Sequence, residues 1–321
     1  MSGNQGFGVA PARTPAPSPQ SDAVAPARFV DRSEAVRAPV AERHRIFLVV
    51  WYAINFLLIV SIFAALYSIV WEFSTRRYLK GFSDAIIPAT AGPEEKIQAI
   101  VSWMARGPAR EVAGPSTASP DRDPTDTLNY DSLLRICGSA TNAFINLADS
   151  GGLGARRLLL TDSNHMTKHV VAEVLIDGRW IVVDPAFRVI PRGADGKLLT
   201  SHDLSDPVIF AAATRNVPGY DPIYTYDNTS HVRISRLHFL GLPLRKALDF
   251  LMPGWEDSTT MSLLLERSSL AAMVFALVLV FFLSLLRVLI RWYGEKRMGL
   301  RSIRIREQVR RACIAFLDTA S

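Results

Sequence analysis

Cys137, His169 and Asp184 are the side chains of this sequence whose types and settings suit nucleophilic chemistry. A thiolate attacks a carbonyl carbon, an imidazole moves a proton near neutral pH, and a carboxylate fixes which ring nitrogen carries it. Each residue also has a plainer reading. Cysteine is often a small buried apolar side chain, a histidine at a strand start is often half-exposed, and Asp before Pro is common where strands end. His165 and His169 stand four apart, which is a metal-ligand spacing. His-Met-Thr-Lys-His has no helical pattern around it and no Glu of the metalloprotease kind, so the zinc-hydrolase reading is the weaker one.

The elements around these residues decide whether they can meet. Ala140, Phe144, Leu147 and Ala148 recur at helical spacing up to Gly151-Gly152, which places Cys137 at the start of a helix. There the helix dipole favours thiolate over thiol. Leu158 to Leu160 reads as a buried strand. His169 then leads a β-rich run to Ile176, Asp177-Gly178 makes a turn, and Arg179 to Asp184 returns before Pro185. A two-residue turn sets Ile176 opposite Arg179 and Asp184 opposite Val171. His169 and Val171 share a face, so His169 and Asp184 become diagonal neighbours about 7–8 Å apart at the backbone. An imidazole and a carboxylate span that gap. Upstream, Pro93-Glu94-Glu95 opens a helix carrying Ile97, Ile100, Val101 and Met104, and Gly107-Pro108 stops it. Gly107 to Asn129, rich in proline and small polar residues, reads as a long loop.

The chain has 321 residues, 49% hydrophobic and 21% charged, with two cysteines. Two cysteines make neither a disulfide framework nor a Cys-rich zinc site. Ile46 to Trp71 and Ser268 to Leu286 carry no charge. Either run is long enough for a helix to cross a hydrocarbon core of about 30 Å. Five arginines precede the first run between Arg28 and Arg45. Arg287, Arg291, Lys296, Arg297, Arg301, Arg304 and Arg306 follow the second. This bias predicts cytoplasmic termini, with the middle on the opposite side of a bacterial inner or plasma membrane. The net charge of +6 belongs to the ends, because residues 72–266 hold more acidic than basic groups. A basic groove for nucleic acid is therefore not expected.

Taken together, the residues around Cys137, His169 and Asp184 resemble the transglutaminase-like domain of the papain-like cysteine hydrolase superfamily. Cys137-Gly-Ser-Ala140 through Leu147 resembles the nucleophile helix. Gly152-Leu-Gly-Ala-Arg156 resembles the Gly-Ile-Pro-Ala-Arg segment, with Gly154 in place of the usual proline. His169 through Glu173, then Gly178-Arg-Trp180 and Asp184-Pro185, resembles the His and Asp strands. The resemblance implies an α+β fold, with Cys137 as nucleophile, His169 as general base and acid, and Asp184 orienting it. Asn129, Tyr130, Asp131 and Ser132 stand where such enzymes commonly place an oxyanion donor, and an ionised Asp131 has no proton to donate.

The expected organisation is a disordered cytoplasmic tail (1–45), a transmembrane helix (46–71), an extracytoplasmic region (72–267) with a transglutaminase-like core at about 93–190, a second span (268–290) and a basic cytoplasmic tail (291–321). That tail suits either an amphipathic helix on anionic lipid or a solvated charged helix. His231 to Trp255, rich in Leu, Phe and Arg, suits a helix resting on the membrane. With the two expected spans, the resemblance implies a membrane-anchored cysteine hydrolase or acyltransferase acting on amide bonds of an envelope substrate, and no metal or other cofactor is expected. A catalytically inactive module for binding or assembly in an envelope complex is the alternative. The partners expected are the lipid bilayer, a peptide or protein amide, and an envelope assembly.

Overall fold

A computed structural model describes residues 32–106, 123–129, 136–164, 166–232, 245–246 and 248–297, with residues 32–44 by their backbone alone. The Pro-rich tail before residue 32, residues 107–122 of the expected loop, Tyr130, Asp131, Ser132 and His165 lie outside the described residues. So do most of 233–247 and the basic tail beyond Arg297. The chain divides into two units, Met1–Val50, helical from Arg32, and Trp51–Ser321.

Helix α1 (Arg32–Ile86) runs well past the end of its uncharged stretch at Trp71. The fifteen residues from Glu72 to Ile86 carry it about 22 Å further at 1.5 Å per residue. They stay helical because they still present one apolar edge. Leu79 is fully buried, Phe82 and Ile86 pack on the domain core, and the Phe82 and Trp103 rings meet edge-on at 5.0 Å. Pro88 then disfavours helical geometry for the residue before it. The domain core thus takes in the end of α1, upstream of Pro93.

Helix α2 (Pro93–Ala105) begins as its sequence predicts, with proline in the first turn and the Glu95 carboxylate accepting from the Gly92 N–H at 3.0 Å. Part of the expected loop is instead a short helix, α3 (Pro124–Thr127), capped by the Asp123 carboxylate. Helix α4 (Cys137–Ser150) follows. Strands β1 (Ala155–Thr161), β2 (Thr167–Ile176), β3 (Arg179–Val183) and the short β4 (Thr229–Ser230) form one antiparallel sheet in the order β3-β2-β1-β4. The hairpin register is the one expected: Ile176 opposes Arg179 and Ala172 opposes Val183. Asp177 and Gly178 both have positive φ, 47° and 77°, as a two-residue turn with the strand twist requires.

Alternation along the strands gives the sheet two buried faces. Ala155, Ala172, Val174 and Val183 pack on α2 and α4 with Ile97, Phe144, Ile145 and Leu147. Leu158, Leu160, Val171 and Val182 face the other way, onto Leu199, Leu204, Phe210 and Tyr226. That second layer includes helix α5 (Pro207–Thr214), which starts on Asp206 as N-cap. Helix α6 (Thr259–Glu266) leads into α7 (Ser268–Arg297), and Arg267 between them is extended. Both α1 from Arg45 and α7 are long and apolar enough to cross a membrane. Phe56, Phe63, Phe275 and Phe281 project outward from them, surface that water would penalise.

Candidate active site

Cys137 is the first residue of α4. Ile136 before it is extended and takes the N-cap place, so the thiol sits at the positive end of a fourteen-residue helix. It is half-buried and in no disulfide. His169 pairs with Leu160 across β1 and β2, on the face of Val171 and Leu160. Asp184 directly follows β3. Its carboxylate Oδ2 meets His169 Nε2 at 2.7 Å, and its Oδ1 accepts from the Ala186 and Phe187 N–H groups at 3.1 Å each. Pro185 ends the strand there, and the turn behind it supplies those donors. Both side chains are buried, His169 to 1% exposure.

The Cys137 sulfur lies near enough to the imidazole to favour its charged form. With Nε2 turned to Asp184, Nδ1 is the nitrogen left for the sulfur. Helix α4 carries the thiol in one layer, and the strands hold the His–Asp pair on the other face of the sheet. Burial alone would push His169 down. The Asp184 charge and hydrogen bond, joined by the Cys137 sulfur, more than offset this and raise it from 6.5 to about 9.

Aromatic rings enclose the imidazole. Tyr224 stacks on it at 4.4 Å and 14°, Phe187 meets it edge-on at 5.5 Å, and Tyr220 does so at 6.2 Å. Burial, with Tyr226 and Asp184 nearby, pushes the Tyr220 phenol upward. Sequence reasoning missed these rings. The signal present was the aromatic spacing in Tyr220-Asp-Pro-Ile-Tyr-Thr-Tyr226, within a stretch where no periodic pattern pointed to an element.

A second polar cluster lies on the same face of β2, four residues beyond His169. The buried Glu173 carboxylate takes hydrogen bonds from Ser201 Oγ at 2.7 Å and Arg156 Nε at 2.8 Å, and meets His231 Nε2 at 3.0 Å. Burial opposes its ionisation, but the bonds from His231, Ser201 and Arg156 hold it below the usual carboxylate range. Arg156, from the Gly152–Arg156 segment, also stacks 3.8 Å from the Trp180 ring centre. Alternation from His169 places Glu173 on this face, but its partners Ser201 and His231 come from outside the recognised segment. Among the described residues no group of three His, Cys, Asp or Glu side chains could hold a metal, and His165 is not among those residues.

No curated protein and no solved structure matches the chain. A family model does: residues 80–185, about a third of the chain, match the one described as Transglutaminase-like superfamily. The match begins in the last turns of α1 and ends at Pro185, so it takes in Cys137, His169 and Asp184. With its four-stranded antiparallel sheet and helical layer between two long apolar helices, the chain is an α+β protein carrying a transglutaminase-like domain.

Proposed function

We propose that this protein is a membrane-anchored cysteine hydrolase or acyltransferase that cleaves an amide bond of an envelope substrate. The observation that carries the reading is His169, hydrogen-bonded to the Asp184 carboxylate and near enough to the Cys137 sulfur for the sulfur to favour its charged form. Cys137 thiolate attacks the amide carbonyl carbon, forming a C–S bond. The C–N bond breaks as the His169 imidazolium gives its proton to the departing amine. A thioester is left. Water then attacks with His169 accepting its proton, and the thiolate departs as the product carboxylate forms. A lysine amine in place of water yields a new amide. Hydrolysis needs no second binding site and is the preferred course.

The arginine bias of the flanking segments supports spans with cytoplasmic termini and an extracytoplasmic domain. The bilayer is then one partner and a peptide or protein amide the other. The second reading, a module that binds or assembles in an envelope complex, is favoured by the enclosure of His169 under Tyr224 and Phe187. A thiol-reactive amide probe tests the choice on Cys313→Ser protein, which leaves Cys137 as its single cysteine. Labelling is expected, and it should vanish in Cys137→Ala while the fold persists. Equal labelling of the two proteins would overturn the reading, and full cellular function of Cys137→Ser would favour the module.

A further inference from the structure

Helix α4 carries a line of hydrogen-bonding groups that a core helix does not need for packing. The Gly138 carbonyl, Asn142, Asn146 and Asp149 follow one another at steps of four, four and three along one face. Asn142 and Asn146 are fully buried. Besides Thr127, which donates to Asn142 Oδ1, and the Asn142 carbonyl, which accepts from Asn146, their partners lie more than a hundred residues away, just before α7. Both amide side chains donate to the Glu266 carbonyl, and Asn142 also to its carboxylate. Arg157 from β1 donates to the same carboxylate and, at 3.2 Å, to the Gly138 carbonyl beside Cys137. Arg267 divides its guanidinium among Asn146 Oδ1 at 2.9 Å, Asp149 at 2.9 Å and Glu72 of α1 at 3.3 Å. Arg76 at 2.6 Å and Ser269 at 2.7 Å also donate to the Glu72 carboxylate.

The location of this cluster is informative. Glu72 directly follows the uncharged run of α1, and Arg267 directly precedes that of α7. The residues that bound the two apolar runs on the domain side are therefore bonded to each other and to the helix bearing the thiol. Glu72, Glu266 and Arg267 are each 2% exposed. Burying ions at this depth contributes little to net stability but fixes relative placement, because an alternative packing strands a charge. Helix α4 is thus held along its length by the Glu266–Arg267 junction that leads into the second apolar helix, with Arg157 extending that hold to the turn that begins at Cys137.

The geometry points to Glu266 and Arg267 as positioning residues for Cys137, setting the placement of α4 from the foot of the second membrane helix. This rests on the thiol–imidazole reading above. It makes the reactivity of the thiol a property of the anchored chain: a shift of α7 against α1 acts through Arg267 on α4 and hence on the Cys137–His169 contact.

The test is the pH dependence of Cys137 alkylation by iodoacetamide in full-length Cys313→Ser protein in lipid nanodiscs. Glu266→Gln and Arg267→Met are compared with the parent, and unfolding midpoints are recorded alongside. Misplacement of a reacting group by about an ångström costs up to two orders of magnitude. Both variants should therefore lose about tenfold or more of the parent rate near pH 6, where only a paired thiolate reacts. Near pH 9.5, where any thiol is ionised, they should stay within about twofold of it. Arg267→Lys, which keeps the charge and fewer bonds, should recover part of the loss. A lowered midpoint with the parental pH profile would make the cluster purely structural and overturn the inference. Should Arg267→Met not fold, Glu266→Gln, which keeps the shape and an amide, decides alone. A parent that itself alkylates like an ordinary thiol would instead overturn the catalytic reading, and the inference with it.

Discussion

Two histidine–carboxylate pairs share one face of the sheet, and they differ in what meets the far nitrogen of each histidine. At Asp184 the carboxylate is held by two backbone N–H groups and spends its other oxygen on His169, whose second nitrogen is directed to sulfur. At Glu173 the carboxylate is saturated by Arg156, Ser201 and His231, and the second nitrogen of His231 meets another carboxylate, Asp257, at 2.9 Å. The first pair leaves one imidazole nitrogen for the Cys137 sulfur. The second closes on itself and ties together the segments of Arg156, Glu173, Ser201, His231 and Asp257. The residue types are alike; the partner on the far nitrogen differs.

The largest expected effect lies on the structural side of that comparison. Glu173→Ala removes the anion that balances a buried arginine and a histidine, a loss of about 3–5 kcal/mol for a broken buried pair. Thermal unfolding in detergent should register it, while Cys137 in the folded fraction keeps its reactivity. Loss of that reactivity at unchanged stability would assign Glu173 to the chemistry and remove the distinction.

The pH dependence of stability sharpens the same contrast. His169 is raised from 6.5 to about 9, so its contribution is complete below 6.5 and is lost as the pH rises through about 9. The shift corresponds to about 3 kcal/mol. The parent protein should lose that much more stability than His169→Gln between pH 6 and pH 10, as read by chemical unfolding at each pH. Parallel curves for the two proteins would remove the charged imidazole from the account.

Much of the site was legible in the sequence because strands repeat every two residues. Asp177-Gly178 fixed the hairpin register, and extending that register beyond its last pair, Ala172 and Val183, puts His169 and Asp184 within reach of each other, as their hydrogen bond shows. Cys137 was readable as a helix start from Ala140, Phe144 and Leu147 behind it and the glycines at the end. What was illegible depends on partners distant along the chain. Nothing local to Asn142 and Asn146 announces Glu266 and Arg267, and an unpatterned segment delivers Tyr224 to the imidazole. The length of α1 was hidden for a different reason. Charge at Glu72, Arg76, Arg77 and Lys80 marks where the apolar run stops, but Arg76, Arg77 and Lys80 lie on exposed edges of the helix and the buried Glu72 is paired with Arg267.

The most direct test of the central claim compares the alkylation rate of Cys137 with and without its histidine, from about pH 5 to about pH 10, in full-length Cys313→Ser protein. A thiolate held by His169 reacts near pH 6 about 100-fold faster than the thiol of His169→Ala, equivalent to about 2.7 kcal/mol. Two superimposable profiles, each rising only near the ordinary thiol value of about 8.5, would contradict it.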